Sequence, residues 1–402
     1  MSTSPRLYAL DNLRATMMWL GVVLHAAALH RIEPNGLQWR DPQTSHWAGL
    51  LGALIHAFRM PVFFIVAGFF VALLVARRGP AAMLRHRAMR IGVPLLLFWP
   101  PLFALLVLLT NLHAQPPGAW PLWRFDLAAV PPTPSGARLQ TVHLWFLELL
   151  MGLALIAALF YGLLDRIPAR VRESTANRIT HAMESGWSFL LLAAPLALVD
   201  RHHPYGIFEA SGDWRPPAAE WLHYGLFFAY GLALYRARAR MLPMLQQRVG
   251  RHALGGALCF LGVLALYRWT RDAPDALAHP RVWMGLLYNA CAWLWCFALI
   301  GGFLRFLPRR NPLLAYLAAS AYWVYLVHLP MIGVVALALR EWNVAFGWKL
   351  LANIGATSLI CIVSYELLAR RTFIATLLNG RPPSRAGLRD GVRGSEPAPS
   401  TQ

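Results

Sequence analysis

Arginines and histidines interrupt runs of this sequence that are otherwise apolar, and their spacing limits the chemistry they can do. Arg14 and His25 stand eleven positions apart in the run 8–30. On a helix, at 100° per residue, that interval puts them within about 20° of one face and about 16 Å apart along the axis. Asp11 lies on the same stripe. His56 and Arg59 sit one turn apart in His56-Ala57-Phe58-Arg59, and Tyr325 and His328 share a face further along. His143-Leu144-Trp145-Phe146-Leu147-Glu148 opens another run, with His143 and Glu148 about 140° apart on a helix and so not facing one another. Imidazole moves protons near neutral pH, and guanidinium holds an anion or a developing oxyanion. The residues therefore suggest proton transfer beside a stabilised negative charge, with His25, Arg59, Tyr325 and His328 as catalytic candidates. His56, His143 and Glu148 are candidates for binding at the same site.

These groups need elements that hold them at one depth. A helix crosses about 30 Å of hydrocarbon with about 20 mainly apolar residues. Ten segments qualify: 8–30, 48–76, 89–112, 142–164, 185–200, 218–235, 252–269, 282–304, 313–338 and 348–369. The composition agrees, with 57% hydrophobic and 14% charged residues in 402. The net charge of +19 is almost all arginine, because Lys349 is the only lysine. If the segments alternate across a bilayer, 24 of the 37 basic residues fall on the side holding both termini and 11 on the other, leaving Arg14 and Arg59 inside spans. By the positive-inside rule both ends are cytoplasmic. The expected fold is an all-α, polytopic integral membrane helical bundle of about ten transmembrane helices, surrounded by membrane lipid. In this topology His25, His56, His143 and His328 fall in one layer in the outer half. Ionisable groups there cost several kcal/mol unless paired or wet, and structural histidines would scatter in depth, so the layer reads as a site.

A second polar layer lies at the inner edge. Arg87 and Arg90 flank Ala88-Met89 near Arg14, and Glu366 closes the last span. Spacing leaves two readings for the arginine pair: a fork for phosphate, or ordinary anchoring at the cytoplasmic face, as for Arg77, Arg78 and Arg85. The basic charge is a topology label, so nucleic acid is excluded as a partner. Cys259, Cys291, Cys296 and Cys361 lie in apolar runs without ligand spacing, which argues against a metal site or a disulfide framework. The first run keeps Asp11, Arg14 and His25 where a signal peptide would be uniformly apolar, so it is read as a retained helix. Residues 113–140, rich in Pro and Trp, form an external loop able to lie on the membrane surface. Residues 1–379 are read as one membrane domain, and 380–402, rich in Pro, Gly, Ser and Arg, as a disordered cytoplasmic tail.

Leu10-Asp11-Asn12-Leu13-Arg14, with ten residues before His25, resembles the first-helix motif of the acyltransferase 3 family of integral membrane O-acyltransferases. Arg87-Ala88-Met89-Arg90 before Ile91-Gly92-Val93-Pro94 is similar to that family's Arg-x-x-Arg. His56 to Arg59, Gly68-Phe69-Phe70, His143 to Leu147, Tyr325 to His328, and Tyr365-Glu366 with Leu378-Asn379-Gly380-Arg381-Pro382 resemble the branch to which succinyl transfer onto osmoregulated periplasmic glucans is assigned. Leu329 stands where that branch can have a second histidine, and Glu148 matches no motif of the family. The resemblance implies that His25 is essential and that Arg14, Arg87 and Arg90 bind an acyl-CoA donor, succinyl-CoA or acetyl-CoA, with no permanently bound cofactor. Asp11 and Glu366 then have structural or gating roles. A cytoplasmic, phosphate-rich donor suits the inner arginines, and a periplasmic glucan or other glycan suits the outer histidines. Ten helices with buried charges also suit a glycan or small-molecule transporter, a reading that predicts half-chain repeats, and none is found.

Overall fold

The computed structural model describes residues 8–33, 39–116, 123–164, 166–203, 206–273, 275, 277–309 and 311–379. The expected tail at 380–402 lies outside the described residues, as do Pro117 and Trp120 of the expected external loop. The described chain is all α. Its helices are α1 (Tyr8–Ala28), α2 (His46–Arg78), α3 (Pro80–Arg87), α4 (Val93–His113), α5 (Trp145–Leu164), α6 (Ala169–Glu184) and α7 (Ser188–Val199), followed by α8 (Ala218–Arg236), α9 (Arg238–Gln247), α10 (Val249–Asp272), α11 (Pro280–Phe306), α12 (Pro312–Ala338), α13 (Phe346–Ser364) and α14 (Phe373–Asn379). A π-helical turn, Ala88–Gly92, joins α3 to α4, and another, Tyr365–Ala369, extends α13.

The protein is a polytopic membrane bundle, and each of the ten apolar segments is occupied by a helix. Seven of these helices are both long and apolar enough to span, among the described residues. An eighth crossing would be α6 and α7 taken together, a pair bent by 97°. The segment 185–200 does not span as expected: α7 has only 12 residues, or about 18 Å, well short of the hydrocarbon thickness. α1 and α8 have the length, 21 and 19 residues, but Asp11, Asn12, Arg14 and His25 in one and Glu220 and His223 in the other lower their apolar content. These two helices are covered by their neighbours, not by lipid alone: α1 packs on α2 and α12, and α8 on α2.

The position of α2 at the centre follows from its small residues. A Cβ added at Gly68 would lie 2.1 Å from the Phe228 carbonyl oxygen, and one at Gly231 would lie 2.0 Å from that of Ile65. The backbones of α2 and α8 therefore touch, the use of small residues expected where helices associate within a membrane. Aromatic side chains fill the space above and below this contact. Phe64 stacks on Tyr224 at 4.7 Å and Phe227 on Trp293 at 4.2 Å.

At the outer end the connections are folded and tied down. Lys349, counted above among outer-face charges, is buried: its Nζ donates to Asp41 Oδ1 and Oδ2 at 3.1 and 3.0 Å and to the Arg340 carbonyl at 3.3 Å. It fastens the α1–α2 connection to the start of α13. The described part of the 113–140 stretch is likewise compact. Arg138 donates to the carbonyls of Ala128 and Val130, while Asp213 accepts from Ser135 at 2.6 Å and from Thr133. Because Gly231 faces backbone, Gly231→Leu should destabilise the protein by about 1–3 kcal/mol, the usual cost of overpacking. Gly162→Leu, with no neighbour within 4 Å of the added Cβ, should not. Thermal unfolding in detergent, with both variants compared to the parent, checks this.

Candidate active site

α1 and α2 run side by side at the outer half, and the point where they cross decides the site. Arg59, on α2, is 8% exposed and lays its guanidinium across Gly21 of α1. A Cβ on Gly21 would sit 2.4 Å from Arg59 Nη1 and 3.6 Å from His328 Nε2. Gly21 is one turn before His25, so the absent side chain opens a slot that brings guanidinium and imidazole to one place. No carboxylate pairs with Arg59 among the described residues, and its Nε is buried without a partner. Its electrostatic neighbours are Tyr325 and Tyr224.

The histidines gather around this slot. His25 and His328 have ring centroids 5.2 Å apart, and His328 and His143 are 5.4 Å apart at 88°. His328 is held through Nδ1 at the Val324 and Tyr325 carbonyls, 3.0 and 2.7 Å away, which leaves Nε2 buried and unpartnered. His143 is held through Nε2 at the Leu326 carbonyl, 3.0 Å away, leaving Nδ1 unpartnered. No hydrogen bond to another described residue engages the His25 ring, which faces the same space. That space is a cavity of about 640 Å³, lined by His25, His56, Arg59, His143, Tyr325 and His328 among others. It is within the size range of ligand pockets. Its outer rim carries Arg31, Glu33, Glu209, Arg268 and Arg271, with Trp47 and Trp145 as flat apolar walls.

Three of the expected residues differ in detail from the sequence reading. His143 sits on a 3-10 turn, Val142–Leu144, ahead of α5 and not within a helix. Val142 adopts φ 52°, a left-handed value uncommon for a β-branched residue and costing about 1–3 kcal/mol. Thr141 holds it there, donating from both backbone and hydroxyl to the Gly212 carbonyl at 2.8 and 3.0 Å. The Tyr325 hydroxyl donates to the His143 carbonyl at 2.7 Å, so its proton already serves to place His143. Among the described residues the Arg59 guanidinium has no such engagement at its Nε. His56 Nε2 donates to the Phe208 carbonyl at 2.6 Å and forms the wall toward Glu209. Glu148 is a correction: it does not line the cavity. It lies in the first turn of α5, within electrostatic reach of Glu220 and Asp213.

At the inner end, Arg14 lies 3.9 Å from Asp11 and over the Phe70 ring at 5.7 Å. Its electrostatic neighbour is Arg87, whose Nε is buried without a partner. Arg90 is turned elsewhere, donating to the Leu378 carbonyl at 2.8 Å; Arg87 ends α3, whereas Arg90 lies within the π-helical turn that follows. Glu366 accepts from Tyr316 and Arg370 at 2.9 Å, a structural tie. The residues that sequence reasoning missed are Gly21 and the rim, which comes from two loops (Arg31, Glu33 and Glu209) and from the end of α10 (Arg268 and Arg271). Gly21 had a visible signal, a glycine four positions before a histidine, while Glu209 and Arg268 had none.

The profile of an acyltransferase domain matches residues 7–366. The chain belongs to the acyltransferase 3 family. The chain is 25% identical over 97% of its length to the glucans biosynthesis proteins C of Salmonella gallinarum (strain 287/91 / NCTC 13346) and Salmonella heidelberg (strain SL476), covering 98% of each. No solved structure matches. This acyltransferase 3 protein is thus a multi-pass membrane acyltransferase, and the transport alternative gives way. The slot at Gly21 generates a direct expectation. Gly21→Ala must displace the guanidinium and should lower kcat about tenfold or more, as loss of one oxyanion donor does, while a conservative change on the lipid-facing side should not. Steady-state kinetics with circular dichroism as a fold control reads this.

Proposed function

We propose that this enzyme moves an acyl group, succinyl by preference, from cytoplasmic acyl-CoA to hydroxyls of a periplasmic glucan, in the bacterial inner membrane. One observation carries the reading. His25 and Arg59 line one cavity, Arg59 Nε has no partner among the described residues, and His25 shares α1 with Arg14 eleven residues away. That interval, about 16 Å along a continuous helix, is about the reach of an extended pantetheine arm. Arg14 and Arg87 hold the donor's phosphates, with Arg90 bracing the π-helical turn that follows Arg87. The thioester carbonyl then reaches the outer cavity without the nucleotide crossing.

In the reaction His25 accepts the proton of an acceptor hydroxyl as the oxygen attacks the thioester carbonyl. Negative charge collects on the carbonyl oxygen beside Arg59. When the tetrahedral intermediate collapses, the C–S bond breaks and the protonated His25 returns its proton to the leaving thiolate. His328 and His143 position His25, and His56 forms the acceptor side. Trp47 and Trp145 offer flat apolar faces beside the charged rim, a lining suited to a sugar. The same chemistry serves acetyl transfer or another envelope glycan. Covalent acyl transfer through histidine is the competing route, and label retained on enzyme mixed with labelled acyl-CoA alone would favour it.

His25→Ala should reduce CoA release in the presence of succinyl-CoA and purified glucan by about 10²–10⁴-fold. Release equal to that of the parent protein would sink the proposal. Arg14→Gln with Arg87→Gln should instead raise the donor KM about tenfold while leaving kcat within a factor of a few, since charge-assisted bonds to the phosphates are made before and during reaction.

A further inference from the structure

A second cavity, of about 380 Å³, opens at the arginine-rich end of the bundle, between α9, α10, α11 and the break where α6 turns into α7. It shares no lining residue with the outer cavity, and neither Arg14, Arg87 nor Arg90 borders it. Its interior holds unmatched polar groups. Tyr230 is 4% exposed and its hydroxyl has no partner, and the Nδ1 of His252 is buried without one. Trp293, whose ring centroid is 5.1 Å from that of Tyr230, has an unpartnered indole N–H just behind. A buried polar group left unmatched costs about 1–3 kcal/mol, so two on the wall of one cavity, Tyr230 and His252, mark a site built to meet something.

The lining specifies the chemistry of what it meets. Arg248 and Arg251 stand at the mouth, and no Asp or Glu is among the lining residues. The nearby Glu184 does not border the cavity and is engaged by Arg240 at 3.3 Å. Arg248 is also the cap of the 24-residue helix α10, whose first turn has no side-chain cap and so presents the positive end of its dipole. The opposite wall is apolar and adaptable, with Met183, Met241 and Met244. Basic pockets between helices at the cytoplasmic face are a recurrent way to hold anionic head groups.

We propose that this cavity binds a phosphate-bearing amphiphile, its phosphate at Arg248 and Arg251, its polar neck at Tyr230 and His252, and its apolar part along the methionine wall. Two sources share that chemistry: an anionic phospholipid entering from the leaflet, and a soluble phosphate-bearing thioester or its CoA product. The site is independent of the donor arginines proposed above.

Native mass spectrometry of the full chain distinguishes the sources, with samples incubated separately with phosphatidylglycerol, with phosphatidylcholine and with CoA. The parent protein should retain phosphatidylglycerol or CoA, and R248Q/R251Q should reduce that adduct roughly tenfold or more, the effect of removing charge-assisted hydrogen bonds. Tyr230→Phe, which keeps the buried ring and removes only the hydroxyl, should reduce it several-fold, and it decides the matter if the double variant does not fold. A phosphatidylglycerol adduct that responds to these variants assigns the leaflet source. A CoA adduct that responds to R248Q/R251Q but survives R14Q/R87Q assigns the soluble source. Adducts indifferent to Arg248, Arg251 and Tyr230, or phosphatidylcholine retained as well as phosphatidylglycerol, would overturn the proposal.

Discussion

A guanidinium buried at membrane depth demands an anion, and among the described residues Arg59 has none. Its nearest companions are the backbone of Gly21, the rings of Tyr325 and Tyr224, and imidazoles. Removing a charge from water without a partner is among the most expensive arrangements a fold can hold, and it persists only where the surroundings over-determine it. The bundle does so through close contact. α2 is held against α8 by backbone contact at Gly68 and Gly231, and the Arg59 guanidinium lies in the space that Gly21 of α1 leaves open. A cation held this way is preorganised for negative charge that appears only during reaction, the condition under which electrostatic stabilisation accelerates a step instead of merely tightening binding.

The outer connections extend the same constraint to the histidines. Val142 is held in a left-handed conformation by Thr141 and Gly212, and this turns His143 toward His328. Gly212 belongs to the stretch that also supplies the Phe208 carbonyl to His56. That stretch is in turn backed by a buried network. Asp200 is fully buried and binds His223 at 3.0 Å and Asn289 at 2.7 Å, and Phe208 stacks on His223 at 4.6 Å. The polar groups of α8 and α11 thus act on the site through the loop they support.

Much of this was legible in the residues. An arginine or histidine inside an apolar run is rare enough that its depth and helix face follow from counting, and His25, Arg59 and His328 do share one cavity. The family resemblance rested on the same residues and is matched by the profile over 7–366. What counting missed depends on contacts between segments. The role of Gly21 appears only when α2 is laid against α1. Glu148 looked like a site residue because it is charged and near His143 in sequence, yet it does not line the cavity. Hydropathy alone could not tell that 185–200 would fold back on α6 at a sharp bend, since a short apolar helix and half of a broken span read alike. Lys349 was counted among the basic residues of the outer side, but its burial was not legible because its partner, Asp41, is 308 residues away.

The account rests on one geometric claim: an acyl donor held at the inner face delivers its carbonyl to the space between His25 and Arg59. A structure of the protein with a non-hydrolysable thioether analogue of succinyl-CoA tests it most directly. The account predicts the diphosphate against Arg14 and Arg87 and the analogue's acyl carbonyl oxygen within hydrogen-bond distance of Arg59, with the carbonyl carbon beside the ring of His25. An acyl group that ends at the inner face, or a chain that enters the bundle along a path that avoids α1, would contradict it.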